Sequence, residues 1–418
     1  MTRRNAILLT SLCGICVIIL SAFDIFRGRR DTMYQSALRT NAASIVLPPG
    51  IFVSTLGSDA NAGLYSHSPV RSVPMGLQRA AQYGRTNVFV AKGVYSRGLG
   101  ISAGSDGVII TNCAGLALLG GWENNFFSRS PSDRSVLDGG NAAYRVLLIS
   151  NAQSLRVTGF AIVRGGTTAI SGGGAAVIGV TSASLSDLSI MSNVGYNGGG
   201  MFVSNSTGIT VSSSCFFSNY AQNYGGALMC VHSGDITIQN AHMLQGFGAA
   251  HAGGIYAQFS SNLVASNIFI LSNNGGSGAA FSLDQTTNIT FIRLTAASNA
   301  LASQVIYLNN AGSFSLRNSF ITNNAINGNM VLLSTARSLI ISGCVFSGSG
   351  ITTYGIQELI AETGQTFVSN GFMMGSMTWL YHDTVIADTV FTVDGAGIAN
   401  FNIEGQTGAA VSSGNYLY

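Results

Sequence analysis

The sequence predicts an all-β fold: a single-stranded parallel β-helix of about 25–27 residues per coil, with a short N-terminal capping helix. Three observations predict it. A turn residue followed by an apolar–x–apolar dyad recurs at near-constant spacing from Leu155 to Ile341. No repeat holds a helix-length amphipathic segment; each offers two or three short runs with period-two alternation. Charged residues make up 8% of the chain while Gly numbers 53 and Pro 5, the composition of a long core wrapped in short polar turns rather than of a disordered chain.

From the N-terminus, Met1 to Asn5 carry two arginines and Ala6 to Phe23 carry no charge. This reads as a signal peptide with an acceptable cleavage site at Leu20-Ser-Ala22, or as an uncleaved signal-anchor helix, since Arg27, Arg29 and Arg30 follow. Leu12 and Ile15 are too bulky for a lipoprotein motif at Cys13 or Cys16. The expected organisation is a signal or anchor over residues 1–26, a polar linker over 27–50, the β-helix over 51–405 and a tail over 406–418. Export to the cell surface or the extracellular space follows from either reading, with membrane contact only through the N-terminal segment.

Ordered structure is expected from Ile51, with a turn over Gly57 to Gly63. Residues 74–84 combine an early Pro, good helix formers and a terminal Gly, the pattern of a helix. Placed before the first strand at Asn87, it would cover the open end of the core and its unpaired edges. Gly120 to Arg134 is the least repetitive stretch. It holds Trp122, Phe126 and Phe127 beside Glu123, Arg129, Asp133 and Arg134, and reads as a loop between two coils.

Dyads then fall at Leu155/Val157, Ala183/Leu185, Ile209/Val211, Ile236/Ile238, Leu263/Ala265, Ile289/Phe291, Phe314/Leu316 and Leu339/Ile341, spaced by 28, 26, 27, 27, 26, 25 and 25 residues. The residues before them, Ser154, Ser182, Gly208, Asp235, Asn262, Asn288, Ser313 and Ser338, suit tight turns, and Gly, Asn and Asp tolerate positive φ. Leucine-rich repeats would show a regular leucine pattern, and propeller blades are longer. In a parallel coil each column repeats every ~4.8 Å, which gives roughly a dozen coils between Asn87 and Gly405. Asn193, Asn219, Asn273, Asn299 and Asn323, with Gln245 in the skipped coil, are expected to form one stacked amide column of structural role.

These residues carry a resemblance. The chain resembles right-handed parallel β-helix proteins of the pectate-lyase-like superfamily. Phe52, Gly57-Ser-Asp59, Asn61, the Pro74 helix, Gly93-Val-Tyr95 and Leu118-Leu-Gly-Gly-Trp122 are similar to the N-terminal module of exported bacterial β-helix proteins. Phe216-Phe-Ser-Asn219 and Gly225-Gly-Ala-Leu228 look like the FxxN and GGA[ILV] repeats of polymorphic outer-membrane proteins, which are autotransporter adhesins. Gly253-Gly-Ile255 and Gly199-Gly-Met201 match in part, and no series of membrane strands follows the coils for a translocator.

The superfamily also contains polysaccharide lyases, hydrolases and epimerases. A lyase needs uronate neutralisation, usually by Ca²⁺ on several carboxylates, and a base; a hydrolase needs paired carboxylates. Between Arg164 and Arg293 there is no basic residue, and Asp187, Asp235 and Asp284 fall at different repeat positions. The central coils are therefore expected to lack a catalytic groove. They also lack the cationic patch that nucleic acid requires. Asp59 and Asn61 have partial calcium-loop spacing but read as a turn. His232, His242 and His251 match no metal motif, and the spacings of Cys113, Cys215, Cys230 and Cys344 predict free, buried thiols. Glu358, Glu362, Asp383, Asp388 and Asp394, with His382, are the densest carboxylates. No catalytic, cofactor or metal residue is assigned; Ca²⁺ is the one cofactor the resemblance would admit.

The expected function is a non-catalytic exported β-helix protein: an adhesin, a surface-structural module or a binder of glycan or protein. The alternative is a polysaccharide lyase, hydrolase or epimerase acting on an acidic glycan near the Trp122 loop or the C-terminal carboxylates.

Overall fold

The computed structural model describes residues 47–96, 106–129, 133–142, 144–300, 304–322 and 324, and beyond these the backbone of strands between Val331 and Leu417. The N-terminal apolar segment, Cys13, Cys16 and Cys344 lie outside the described residues.

The described residues from Pro49 onward form the predicted right-handed parallel β-helix. It starts with strand β1 (Gly50–Val53), helix α1 (Val73–Gln82) and strands β2 (Asn87–Ala91) and β3 (Gly93–Ser96). The helix begins one residue before the predicted Pro74 because Ser72 caps it: its Oγ accepts the Met75 N–H at 3.2 Å. Val73, Gly76 and Ala80 are its buried face, so it closes the end of the core as expected.

Three parallel sheets then run along the coil. The long sheet takes two limbs of each coil, as in Thr181–Met191 and Gly234–Leu244. A short sheet holds Val194–Asn197, Tyr220–Tyr224, Phe247–His251 and Asn274–Ser277. The third sheet stacks 13 strands, eight of them at or before Asn309. The dyads are in register and inward: Leu155, Ala183, Ile209, Ile236, Leu263, Ile289 and Phe314 form one buried column.

The corners explain the composition. Ser154, Ser182, Gly208, Asp235, Asn262 and Asn288 all adopt φ between 52° and 67°, as the turn chemistry predicts. A second left-handed column, Gly159, Asp187, Ser213, Asn240, Asn267 and Arg293, bends the long sheet between its limbs. At the Gly-Gly corners the backbone of the neighbouring coil leaves no room: a Cβ on Gly199 would sit 2.1 Å from the Tyr220 carbonyl oxygen.

The amide column exists with two changes of membership. Asn193, Asn219, Asn273 and Asn299 are buried, and Asn193, Asn273 and Asn299 each donate both the side-chain and the backbone N–H to the next member's Oδ1. The last described member is Asn324, not Asn323. In the skipped coil the column position is Gly246, whose N–H donates to Asn273 Oδ1 at 2.7 Å. Gln245 is the left-handed residue just before it. A Cβ at Gly246 would meet the Gly253 oxygen at 2.2 Å, which is why no amide stands there. A serine ladder, Ser206, Ser233 and Ser260, runs parallel to it at another corner.

Candidate functional site

The charged residues of the Trp122 loop meet those of neighbouring coils on the second limb of the long sheet. Lys92 follows β2 directly, and β3 leads to Ser135–Ala142, its partner in the next coil. This brings Asp133 and Arg134 beside Lys92. The Lys92 Nζ lies 2.9 Å from Glu123 Oε1 and 3.4 Å from Asp133 Oδ2. The guanidinium of Arg134 donates to Asp187 Oδ1 at 2.7 Å and to the Asp187 carbonyl at 3.2 Å. Arg129 reaches the other Asp187 oxygen at 3.4 Å and donates to the Gly120 carbonyl at 2.7 Å. An open depression of about 550 Å³ lies here, lined by Lys92, Asp133, Arg134, Val136, Ala161, Ser189 and Met191.

The floor of the depression follows from register. Val136, Ala161 and Ser189 are consecutive members of one outward column. Small side chains in that column leave the hollow, and the charged residues form its wall. The hydrogen bond from Lys92 to Glu123 raises the lysine pKa above its ordinary value, against desolvation and with help from Asp133. Lys92 is therefore an ammonium at neutral pH, suited to holding an anion or donating a proton rather than accepting one.

The sequence places charges in this loop but not their partners. Asp187, set aside as an isolated acid of the central coils, receives both loop arginines from the coils before it. The legible signal was its position: it stands in the left-handed bend column, 28 residues after Gly159 and 26 before Ser213. Two of the three aromatic residues of the loop are packing, while Phe127 is exposed. Trp122 meets Phe89 edge to face at 5.4 Å, and the buried Phe126 meets Phe52 at 4.9 Å.

The remaining expectations separate as follows. Asp59 Oδ1 accepts the backbone N–H groups of Arg71 and Ser72, and Asn61 donates to the Pro69 carbonyl, so both build a turn. Asp235 sits in its turn column, bonded to Thr207 and Asn262. His232 and His242 stack on Phe259 and Phe269 of the next coil at 4.9 and 5.0 Å. Cys230 is buried and its thiol pushed up to about 12 by desolvation. Cys215, expected to be buried, is half-exposed, because in Cys215–Phe217 the inward residue is Phe216. Of the C-terminal carboxylates, Glu358 lies on a strand whose side chains are not described, and Glu362, Asp383, Asp388, Asp394 and His382 fall outside the described residues.

The donor chemistry of the depression does not suit a calcium ion. Glu123 and Asp133 already face Lys92, Asp187 faces two guanidinium groups, and among the described residues no three His, Cys, Asp or Glu side chains gather.

No family model matches the chain, and no curated protein matches it. Solved structures similar to it include a pectate lyase, with 12% identity and a TM-score of 0.40 over 88% of this chain and 82% of that one. The A-module of a mannuronan C-5 epimerase from Azotobacter vinelandii has 11% identity and a TM-score of 0.40 over 86% of this chain and 100% of that one. The catalytic domain of a GH87 α-1,3-glucanase in complex with nigerose has 10% identity and a TM-score of 0.44 over 88% of this chain and 70% of that one.

Proposed function

We propose that the protein is an exported β-helix enzyme that acts on an acidic polysaccharide at the Lys92–Arg134 depression. The observation that carries this reading is the convergence of two cations and a carboxylate on the wall of one open hollow, supplied by residues from separate coils. Lys92 and Arg134 are the groups for a uronate carboxylate. Neutralising that carboxylate acidifies the adjacent C–H, which is what elimination and epimerisation both require. Asp133 is the lining carboxylate positioned to exchange a proton. Its contact with Lys92 is the longer of the two and both side chains are well exposed, so a substrate anion can take its place.

A binding-only surface module is the second reading. It is favoured by the pairing of Lys92, Arg134 and Asp187 with opposite charges, which is also how a structural ion-pair network looks.

Purified protein incubated with polygalacturonate, alginate and a glycosaminoglycan separates them. Release of unsaturated or reducing ends, or inverted uronate residues by NMR, lost in Asp133→Asn and Lys92→Met, is the expected result. Retention on an acidic polymer without turnover leaves binding alone. Neither retention nor turnover on any of them removes the acidic-glycan reading.

A further inference from the structure

A second hydrophobic cluster lies outside the main core. Met229, Ala252 and Tyr256 are buried together, with Phe202, Tyr224 and Val231 against them. It sits on the outward side of the third sheet, where register aligns Met229, Tyr256, Ser282 and Tyr307 in one column. Its three buried members pack on one another outside the coil interior, and the rings beside them, Tyr224, His251 and Tyr307, are half-exposed and so within reach of a partner.

The rim is aromatic on one side. Tyr224 stacks on Tyr256 with centroids 4.5 Å apart and 12° between planes. The half-exposed His251 ring lies 5.4 Å from Tyr224, 5.8 Å from Tyr256 and 5.7 Å from Tyr307. Its Nδ1 is 3.4 Å from the Oγ of the buried Ser282. On the other side the next outward column is a row of hydrogen-bonding groups. Asp284 accepts from Gln258 Nε2 at 2.8 Å and from Asn309 Nδ2 at 2.7 Å. Each amide spends one N–H on Asp284, leaving a second N–H and an oxygen per side chain for a ligand.

Charge selects the partner. No basic residue occurs between Arg164 and Arg293, and Arg293 and Arg317 bond to Asn267 and Ser315 of the long sheet. Burial holds the His251 pKa below its ordinary value, against the pull of Asp284, so the imidazole adds no cation at neutral pH. The one formal charge of the patch is the Asp284 carboxylate, which repels an acidic polymer. A pyranose has an apolar C–H face and a rim of hydroxyls, and an aromatic wall beside a carboxylate–amide row matches both.

We propose that this patch is a binding site for a neutral glycan, separate from the charged depression, with a sugar ring against Tyr224, His251 and Tyr307 and its hydroxyls on Gln258, Asp284 and Asn309. The proposal does not depend on what the depression does.

Affinity electrophoresis of the full chain through gels containing xylan, galactomannan or a soluble β-glucan tests it. At least one neutral polymer should retard the wild-type protein. Tyr307→Ala and Asp284→Asn should each weaken retardation about tenfold. Absence of retardation on all three polymers overturns the site, as does retardation that survives both substitutions. Loss of a wild-type self-association in Tyr307→Ala, with no glycan effect, also overturns it and makes the partner a second copy. Should either variant fail to fold, the His251 imidazole resonances of the wild-type chain report directly. A shift on titration with the matching oligosaccharide is expected, and no shift at saturation refutes the site.

Discussion

Before Arg164 the coils are bridged by charge; after it they are bridged by stacked rings and by amide and hydroxyl hydrogen bonds. Lys92, Arg129, Arg134, Arg145 and Arg164 each bridge to a carboxylate on another coil or loop. From Asn193 onward the same vertical distance is spanned by asparagine and serine side chains that repeat every coil. A regular coil presents the same group at the same height each turn, so an amide or hydroxyl that both donates and accepts can stack without limit. A column of like charges cannot, because each member repels the next. Charge is therefore concentrated in the first coils, where opposite signs come from loops of different length, while Asp235 and Asp284 of the regular coils stand singly among amides and hydroxyls. Irregularity and charge share an origin here: the depression exists because the first coils depart from the repeat.

The largest effect is expected where the neutral mode is cut. Asn273 accepts the Gly246 N–H and donates to the Met243 carbonyl and to Asn299. Asn273→Ala leaves buried backbone groups unpaired and should cost about 3 kcal/mol, read as a lower denaturation midpoint in urea. Gly246→Asn asks whether the broken column can be mended. Its Cβ has no room against Gly253, so overpacking should outweigh the added hydrogen bond and cost about 2 kcal/mol. A gain in stability would show that the corner can widen.

In the charged region the same test should give less. Asp187→Asn loosens both Arg129 and Arg134 from the preceding coils. These side chains are partly exposed, so the loss should be about 1 kcal/mol and should shrink in high salt, whereas the Asn273 loss should not. Equal salt dependence for the two would erase the distinction between the regions.

Most of the architecture was legible because a solenoid writes itself once per coil. Period, inward dyads and left-handed corner residues can each be counted along the chain, and the structure keeps them at Ser154, Asp235 and Asn262. What could not be read was anything that one coil does to the next but one. Asp187 looked isolated because its arginines lie more than fifty residues earlier. Tyr256, Ser282 and Tyr307 share a column, yet the serine between the two tyrosines and Met229 before them break any regular repeat that would announce it. Gly246 and Asn324 displaced the expected Gln245 and Asn323 through one-residue differences in corner length. Spacing resolves a coil to about one residue, and a corner column is one residue wide.

The smallest effect isolates charge from irregularity. Asp138 pairs with Arg164 and accepts the Gly140 N–H at 2.9 Å. Desolvation raises its pKa, but the Arg164 hydrogen bond, the Gly140 N–H and the Arg164 charge together outweigh it, so the folded-state pKa lies below the ordinary 3.8. A carboxyl depressed on folding contributes stability in full above its unfolded pKa, and that contribution fades as pH falls through the folded value. The melting-temperature difference between wild type and Asp138→Asn should therefore stay constant from neutral pH down to about 5 and shrink below 3.8. Asn273→Ala, which removes no titrating group, should show a difference that does not change over that interval while the fold persists. A constant difference for Asp138→Asn through the acid range would mean that its contacts act as neutral hydrogen bonds, and that the first coils are held as the later ones are.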